Sequence, residues 1–236
     1  MSSEAQLLMA VVLFYIYDSC QLLFINEGVI IRHGNRYTAT INKNGLILLG
    51  KKLLIPNLLL PHQPIYRLPW ESEKIEKTAS IDLNADQPLY LWFAFPAYGM
   101  AISLFILTPA VYYISGVSEN LLWCLGLIYY FSIVMGVELY FCRKPLELSN
   151  KKAWSLFFEC LFCPPFAINI VRKLSLSRKI ENDFVTVSFA LLTQERWEGL
   201  REDLIIYIER EMEETDLEDR IIRLNESKKR ILGMNK

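Results

Sequence analysis

Two apolar runs, residues 89–114 and 121–142, are separated by a six-residue connector and together contain one carboxylate, Glu138, and no Lys or Arg. A helix needs about 20 apolar residues to cross a hydrocarbon core of roughly 30 Å, and both runs are long enough. The connector, residues 115–120, is short enough to turn one helix back on the other, so the pair reads as a transmembrane hairpin. The alternative is a buried hairpin inside a soluble protein, but 236 residues leave too little chain to wrap two such helices on every side.

A third candidate span, residues 7–25, carries Asp18 and Gln21. A secretory signal needs a basic leader and a small-residue cleavage site. Neither is present around Met1–Ser2–Ser3–Glu4, so this run is expected to remain as a membrane helix. The fold expected is therefore an α-helical integral membrane protein of three spans. Hydrophobic residues make up 53% of the chain and charged residues 22%, as expected for an apolar part joined to a highly charged one. A net charge of −1 offers no basic field for nucleic acid, and none is expected as a partner.

Between the first span and the hairpin, residues 26–88 change pattern. Short β-type runs at 29–32, 36–41, 46–49 and 52–55 are broken by His33-Gly34-Asn35, Lys43-Asn44-Gly45 and Gly50-Lys51. Asn-Gly between two such runs signals a hairpin, because both residues tolerate positive φ. A small antiparallel β unit is expected. The stretch from Pro56 to Pro64 has prolines that fix φ and remove backbone donors, so it is read as extended, and residues 65–70 as an edge strand. Leu58, Leu59, Leu60, His62, Tyr66 and Trp70 form a candidate docking segment, expected chiefly to cover its own β unit. An N-terminal span containing Asp, a short β-rich stretch and this proline-punctuated line together resemble uncharacterised bacterial multi-pass inner-membrane proteins. The resemblance covers about the first 70 residues. It implies a bacterial inner membrane and no particular activity.

Past the hairpin, residues 153–171 are apolar but contain Glu159, Pro164-Pro165 and Asn169, with basic residues on both sides. Crossing would export the second basic cluster, so an interfacial or re-entrant segment within residues 143–179 is expected in preference to a fourth span. Residues 183–192 alternate like a strand. The tail, 195–236, reads as one long charged helix with a stripe at Leu200, Leu204, Ile208 and Met212, then Leu217, Ile221, Leu224 and Ile231. Together, 180–236 form a C-terminal strand and helix.

Topology follows from the cations. The 115–120 connector has none, whereas Arg143, Lys144, Lys151 and Lys152 follow the last span, and the 26–88 insert contains eight Lys or Arg residues. The N-terminus and the connector are thus placed outside, and the insert and C-terminus in the cytoplasm. Tyr90, Trp92, Tyr112, Tyr113, Trp123 and Tyr140 lie near the span ends, and Pro96 and Pro109 are expected to bend the second span.

Intramembrane carboxylates are expensive and mark ion or proton routes, so Asp18 and Glu138 are the first candidates for chemistry. No Lys or Arg lies within the spans to pair with them, so each is expected to be protonated, hydrogen-bonded to Tyr15, Tyr17 or Tyr140, or solvated through the interface, to which Glu138 near its span's end can snorkel. Cys160 and Cys163 form a C-x-x-C pair, a possible redox or metal motif that lacks two further zinc ligands nearby; two small residues on an apolar face are the plainer reading. No phosphate loop, nucleophile elbow or zincin motif occurs, so no catalytic residue, metal or cofactor is expected. The function expected is a non-catalytic membrane accessory or scaffold. Its partners are the bilayer and either another protein or a second copy engaged through the C-terminal helix. A transport component using Asp18 and Glu138 is the alternative, and a membrane-embedded enzyme the third.

Overall fold

The computed structural model describes residues 3–34, 36–41, 45–71, 87–178, 180 and 182–234. The Asn35 part of one turn signal, the Lys43-Asn44 part of another and most of the polar stretch before the hairpin lie outside these residues. The chain is mostly helical with a small antiparallel component, and it divides into two units.

The first unit comprises Met1–Cys20, Ile55–Pro64 and Leu83–Ser175. It contains α1 (Ser3–Ser19), α2 (Gln87–Trp92), α3 (Ala94–Ile102), a π-helical stretch (Ser103–Leu107), α4 (Thr108–Ser115), α5 (Glu119–Phe141), α6 (Asn150–Phe162), α7 (Pro164–Ile168) and most of α8 (Ile170–Ser177). From α2 to α4 the chain runs as one helix, Leu89–Ser115. This helix and α5 are the two among the described residues long and apolar enough to cross a membrane. The helical run of α1 ends at Ser19, and residues expected in the end of its span instead open a strand.

The π stretch has a local cause. Pro109 has no N–H to offer, and one residue earlier both the N–H and the hydroxyl of Thr108 go to the Ser103 carbonyl, the hydroxyl at 2.8 Å. In α5 the buried positions Cys124, Ile128, Ser132, Met135 and Leu139 repeat every three or four residues, so only one stripe faces the core. Close approach depends on two glycines: a Cβ on Gly99 would lie 2.3 Å from the Phe131 ring, and one on Gly136 would lie 2.3 Å from Phe157. Residues 153–171 are not one continuous helix. Cys163 adopts an extended conformation, φ −136° and ψ 83°, and the two prolines start α7 where their missing donors cost nothing.

The second unit comprises Gln21–Leu54, Ile65–Asp82 and Leu176–Lys236. Two three-stranded antiparallel sheets form here, from β1 (Gln21–Leu23), β2 (Glu27–His33), β3 (Arg36–Thr40), β4 (Ile47–Leu48), β5 (Lys51–Leu54) and β6 (Ile65–Pro69). The first is ordered β1-β5-β4, with Leu22 opposite Leu53. The second is ordered β3-β2-β6, with Ile30 opposite Ala39 on one side and Tyr66 on the other. Thus β6, which follows Pro64 and ends on Pro69, is an edge strand, the place a proline-bearing strand suits. Leu49 and Gly50, both at positive φ, make the two-residue turn between β4 and β5.

Two sequence expectations fail in this unit. Residues 183–192 form no strand: α9 (Phe184–Leu191) is a helix, capped by Asp183, whose Oδ1 accepts from the Thr186 N–H at 2.8 Å. Phe184, Val185, Val187 and Ser188 are all buried, so the apparent alternation reflects burial on several sides rather than a two-faced strand. Phe184 fits against β2 only because residue 28 is glycine; a Cβ there would lie 2.6 Å from its ring. The tail is not one helix either. It breaks over residues 215–217 into α10 (Gln194–Glu214) and α11 (Glu218–Gly233). Carboxylates are favoured at a helix N-terminus, so Glu218 and Asp219 suit the start of α11, whereas Glu213 and Glu214 close α10 against its dipole. The Leu200, Leu204, Ile208, Leu224 and Ile231 part of the stripe is buried within its own unit. Arg230 closes α11 onto α9 by bonding Asp183 Oδ2 and Thr186 Oγ1, each at 2.6 Å.

Candidate functional site

Asp18 lies in the last turn of α1, where exposed carbonyls already make the helix end negative. A carboxylate there is unfavourable unless a cation meets it. Lys173 does so, its Nζ 2.5 Å from Asp18 Oδ1, while Asn169 Nδ2 donates to Oδ2 at 3.0 Å. The expectation that Asp18 has no basic partner is therefore overturned: the partner comes from α8, outside the apolar runs. Asn169, Arg172 and Lys173 are spaced i, i+3, i+4, so they share one face around the start of that helix.

The cluster extends from there. Ser19 Oγ accepts from Asn169 Nδ2 at 2.9 Å and donates to the Tyr15 carbonyl at 2.7 Å. Arg172, 1% exposed, donates from Nη1 to Asn169 Oδ1 at 2.9 Å and from Nη2 to the carbonyls of Asn57 and Leu60. The carbonyls of Asn57 and Leu60 already accept turn bonds from the Leu60 and Gln63 N–H groups, each at 3.1 Å, and the guanidinium adds a charge-assisted donor to both. Tyr15 and Tyr98 add two more, donating to the carbonyls of Leu58 at 2.7 Å and Leu59 at 3.3 Å. Burial pulls the Arg172 guanidinium below its usual value, yet an arginine remains a cation at neutral pH; its Nη groups make three bonds, and its Nε is buried without a hydrogen-bond partner among the described residues. The His62 ring lies tilted by 52° against Tyr98, centroids 5.2 Å apart; burial first, and the Arg172 charge second, hold its imidazole below its ordinary value.

The other expected residues lie elsewhere. Glu138 shares no hydrogen bond or ion pair with Asp18 among the described residues, and its Oε2 is buried without a hydrogen-bond partner there. Cys160 is buried in the apolar core of the first unit and Cys163 is at the break after α6; both are free thiols. Burial pushes the Cys160 thiol up to about 12, opposite to what a reactive cysteine needs. No group of three or more His, Cys, Asp or Glu suited to a metal occurs among the described residues. The docking segment is divided. Leu58, Leu59, Leu60 and His62 belong to the first unit, with Leu58 packed on its core, whereas Tyr66 and Trp70 are buried in the second. In that second unit Trp70 Nε1 donates to the Ile25 carbonyl at 3.3 Å, and its ring meets Tyr207 edge-on.

Sequence reasoning missed Asn169, Arg172 and Lys173 as partners because it read the two cations only as topology markers. The available signal was the carboxylate itself: an acid closing an apolar helix calls for a cation, and the Asn-x-x-Arg-Lys spacing offers a polar face in a mostly apolar region. No family model, curated protein or solved structure matches the chain.

Proposed function

We propose that this protein is a non-catalytic accessory or scaffold of the bacterial inner membrane, with α1, the Leu89–Ser115 helix and α5 as three spans. The N-terminus and the α4–α5 connector lie outside; the second unit and C-terminus lie in the cytoplasm, and α6–α8 return at Cys163 without crossing. The membrane placement is supported by the two long apolar helices, of whose windows only 28% is buried, so their remaining faces suit lipid. The single observation that carries the scaffold reading is the Asp18–Lys173 pair within a cluster of structural hydrogen bonds. The strongest candidate for a proton carrier is already neutralised and holds α1 to α8. Partner surfaces are the outer side of α10 and α11, where Ile206, Ile222 and Leu232 are exposed, and the aliphatic tip Leu46, Ile47, Leu48 and Leu49.

A transport component remains the second reading because the buried Glu138 Oε2 has no partner among the described residues. Proteoliposomes enclosing a pH-sensitive dye separate the two. Under an imposed potential, proton uptake should equal that of empty vesicles. Uptake abolished by Asp18→Asn or Glu138→Gln would overturn the scaffold reading. A double-mutant cycle adds a positive test. Asp18→Asn and Lys173→Met should each lower melting, and the pair together should cost less than the sum, because neither charge is left alone. A reporter fused after residue 236 should give a cytoplasmic signal.

A further inference from the structure

Within the first unit, α1, the proline-bounded segment and the Leu89–Ser115 helix enclose a cavity of about 390 Å³, within the size range of small-ligand sites. Val12, Leu58, Ala101, Ile102, Phe105 and Ile106 supply its hydrocarbon and aromatic wall. The hydroxyls of Tyr15 and Tyr98, which also line it, already donate to the Leu58 and Leu59 carbonyls, so their hydrogens are not available to a polar ligand. Phe105 and Ile106 lie in the π stretch, whose wider turn shifts the helix face beside α1; such turns recur at functional sites. Val12, Ile102 and Ile106 are also exposed, so the cavity opens onto the apolar outer faces of the helices that form it.

We propose that this cavity is a binding site for one acyl chain of a bilayer lipid, entering sideways between α1 and the Leu89–Ser115 helix. The inference rests on the membrane reading. Leaving water is not what drives the chain in, because lipid tails are already in hydrocarbon. The driving force is contact: an empty apolar wall forfeits dispersion attraction, and a flexible chain restores it. The acyl chain is the fitting occupant because the rim faces the medium in which such chains are the solvent, and the wall has no free donor to orient a headgroup.

The full-length protein, reconstituted in phosphatidylethanolamine–phosphatidylglycerol vesicles with a phospholipid carrying a diazirine in its acyl chain, is irradiated and its adducts are mapped by peptide mass spectrometry. Adducts are expected on Ala101, Phe105 and Val12, and on Leu125 and Val137 of the outer face of α5. Ala101→Trp, which fills the cavity, should reduce the cavity adducts at least fivefold and leave those on α5 unchanged. Ile106→Trp at the rim serves the same purpose if Ala101→Trp fails to fold. Cavity adducts undiminished by a folded variant overturn the proposal while the membrane reading stands; absence of adducts on α5 as well overturns both.

Discussion

In the first unit a guanidinium is among the most deeply buried groups, beneath three oxygen acceptors, while Leu122, Trp123 and Phe141 stand exposed on α5. In the second, Tyr66, Trp70 and Trp197 fill the interior, and carboxylates and cations occupy the outer side of α10 and α11. The two units differ in their exteriors more than in their interiors, because the first also has an apolar core, around Phe93, Met100, Met135 and Leu139, beside its polar cluster. An apolar exterior is economical where the surroundings cannot hydrogen-bond, and a charged exterior is economical in water. Substitutions should separate the two units.

The largest effect should come from Arg172→Met. It removes the charge-assisted bonds to Asn169 Oδ1 and to the carbonyls of Asn57 and Leu60, each of which should cost about 1.5–3 kcal/mol. Proteolysis of the detergent-solubilised chain should open the first unit while peptides of the second stay protected. Equal opening of both would break the comparison. Gly28→Val makes the reciprocal cut: its methyls enter the space of the Phe184 ring, and overpacking should destabilise the second unit by about 1–3 kcal/mol, read by the same protection pattern.

Tyr66→Phe is smaller and depends on pH. The Tyr66 hydroxyl is buried without a hydrogen-bond partner among the described residues, and burial pushes its ionisation up to about 12. The folded state holds the proton where the unfolded chain, near the ordinary tyrosine value of 10.0, has released it. Stability is thus fully present below pH 10 and falls as pH rises from there toward about 12. At neutral pH Tyr66→Phe should leave melting unchanged or raise it slightly, and it should flatten part of the alkaline loss in a melting series against pH. The smallest effect belongs to Leu49→Asn. It relieves positive φ in a side chain that resists it and removes an exposed aliphatic group, with a gain of no more than about 1 kcal/mol by chemical denaturation.

Legibility in the sequence followed the same division. The two long apolar runs, the edge strand after Pro64 and the β runs of the insert were readable because one periodicity governed each over its length. Residues 183–192 were not, because a short helix buried on several sides has no polar face to expose its period. The break in the tail lay in the placement of Glu218 and Asp219, which an apolar-stripe argument ignores. In the candidate site Asp18 was legible as a lone acid, but its partner was not. Nothing local relates position 18 to position 173; only the fold brings α8 to the end of α1.

That separation bears on how the molecule is made. Asp18 meets its cation 155 positions downstream, so in a chain emerging N-terminus first, α1 exists long before the residue that neutralises its end. The last helices of the first unit must close over the first one. A chain stalled before residue 169 carries an α1 whose acid has neither Asn169 nor Lys173 to meet, so a finished molecule differs from an interrupted one in the charge left at a single helix end.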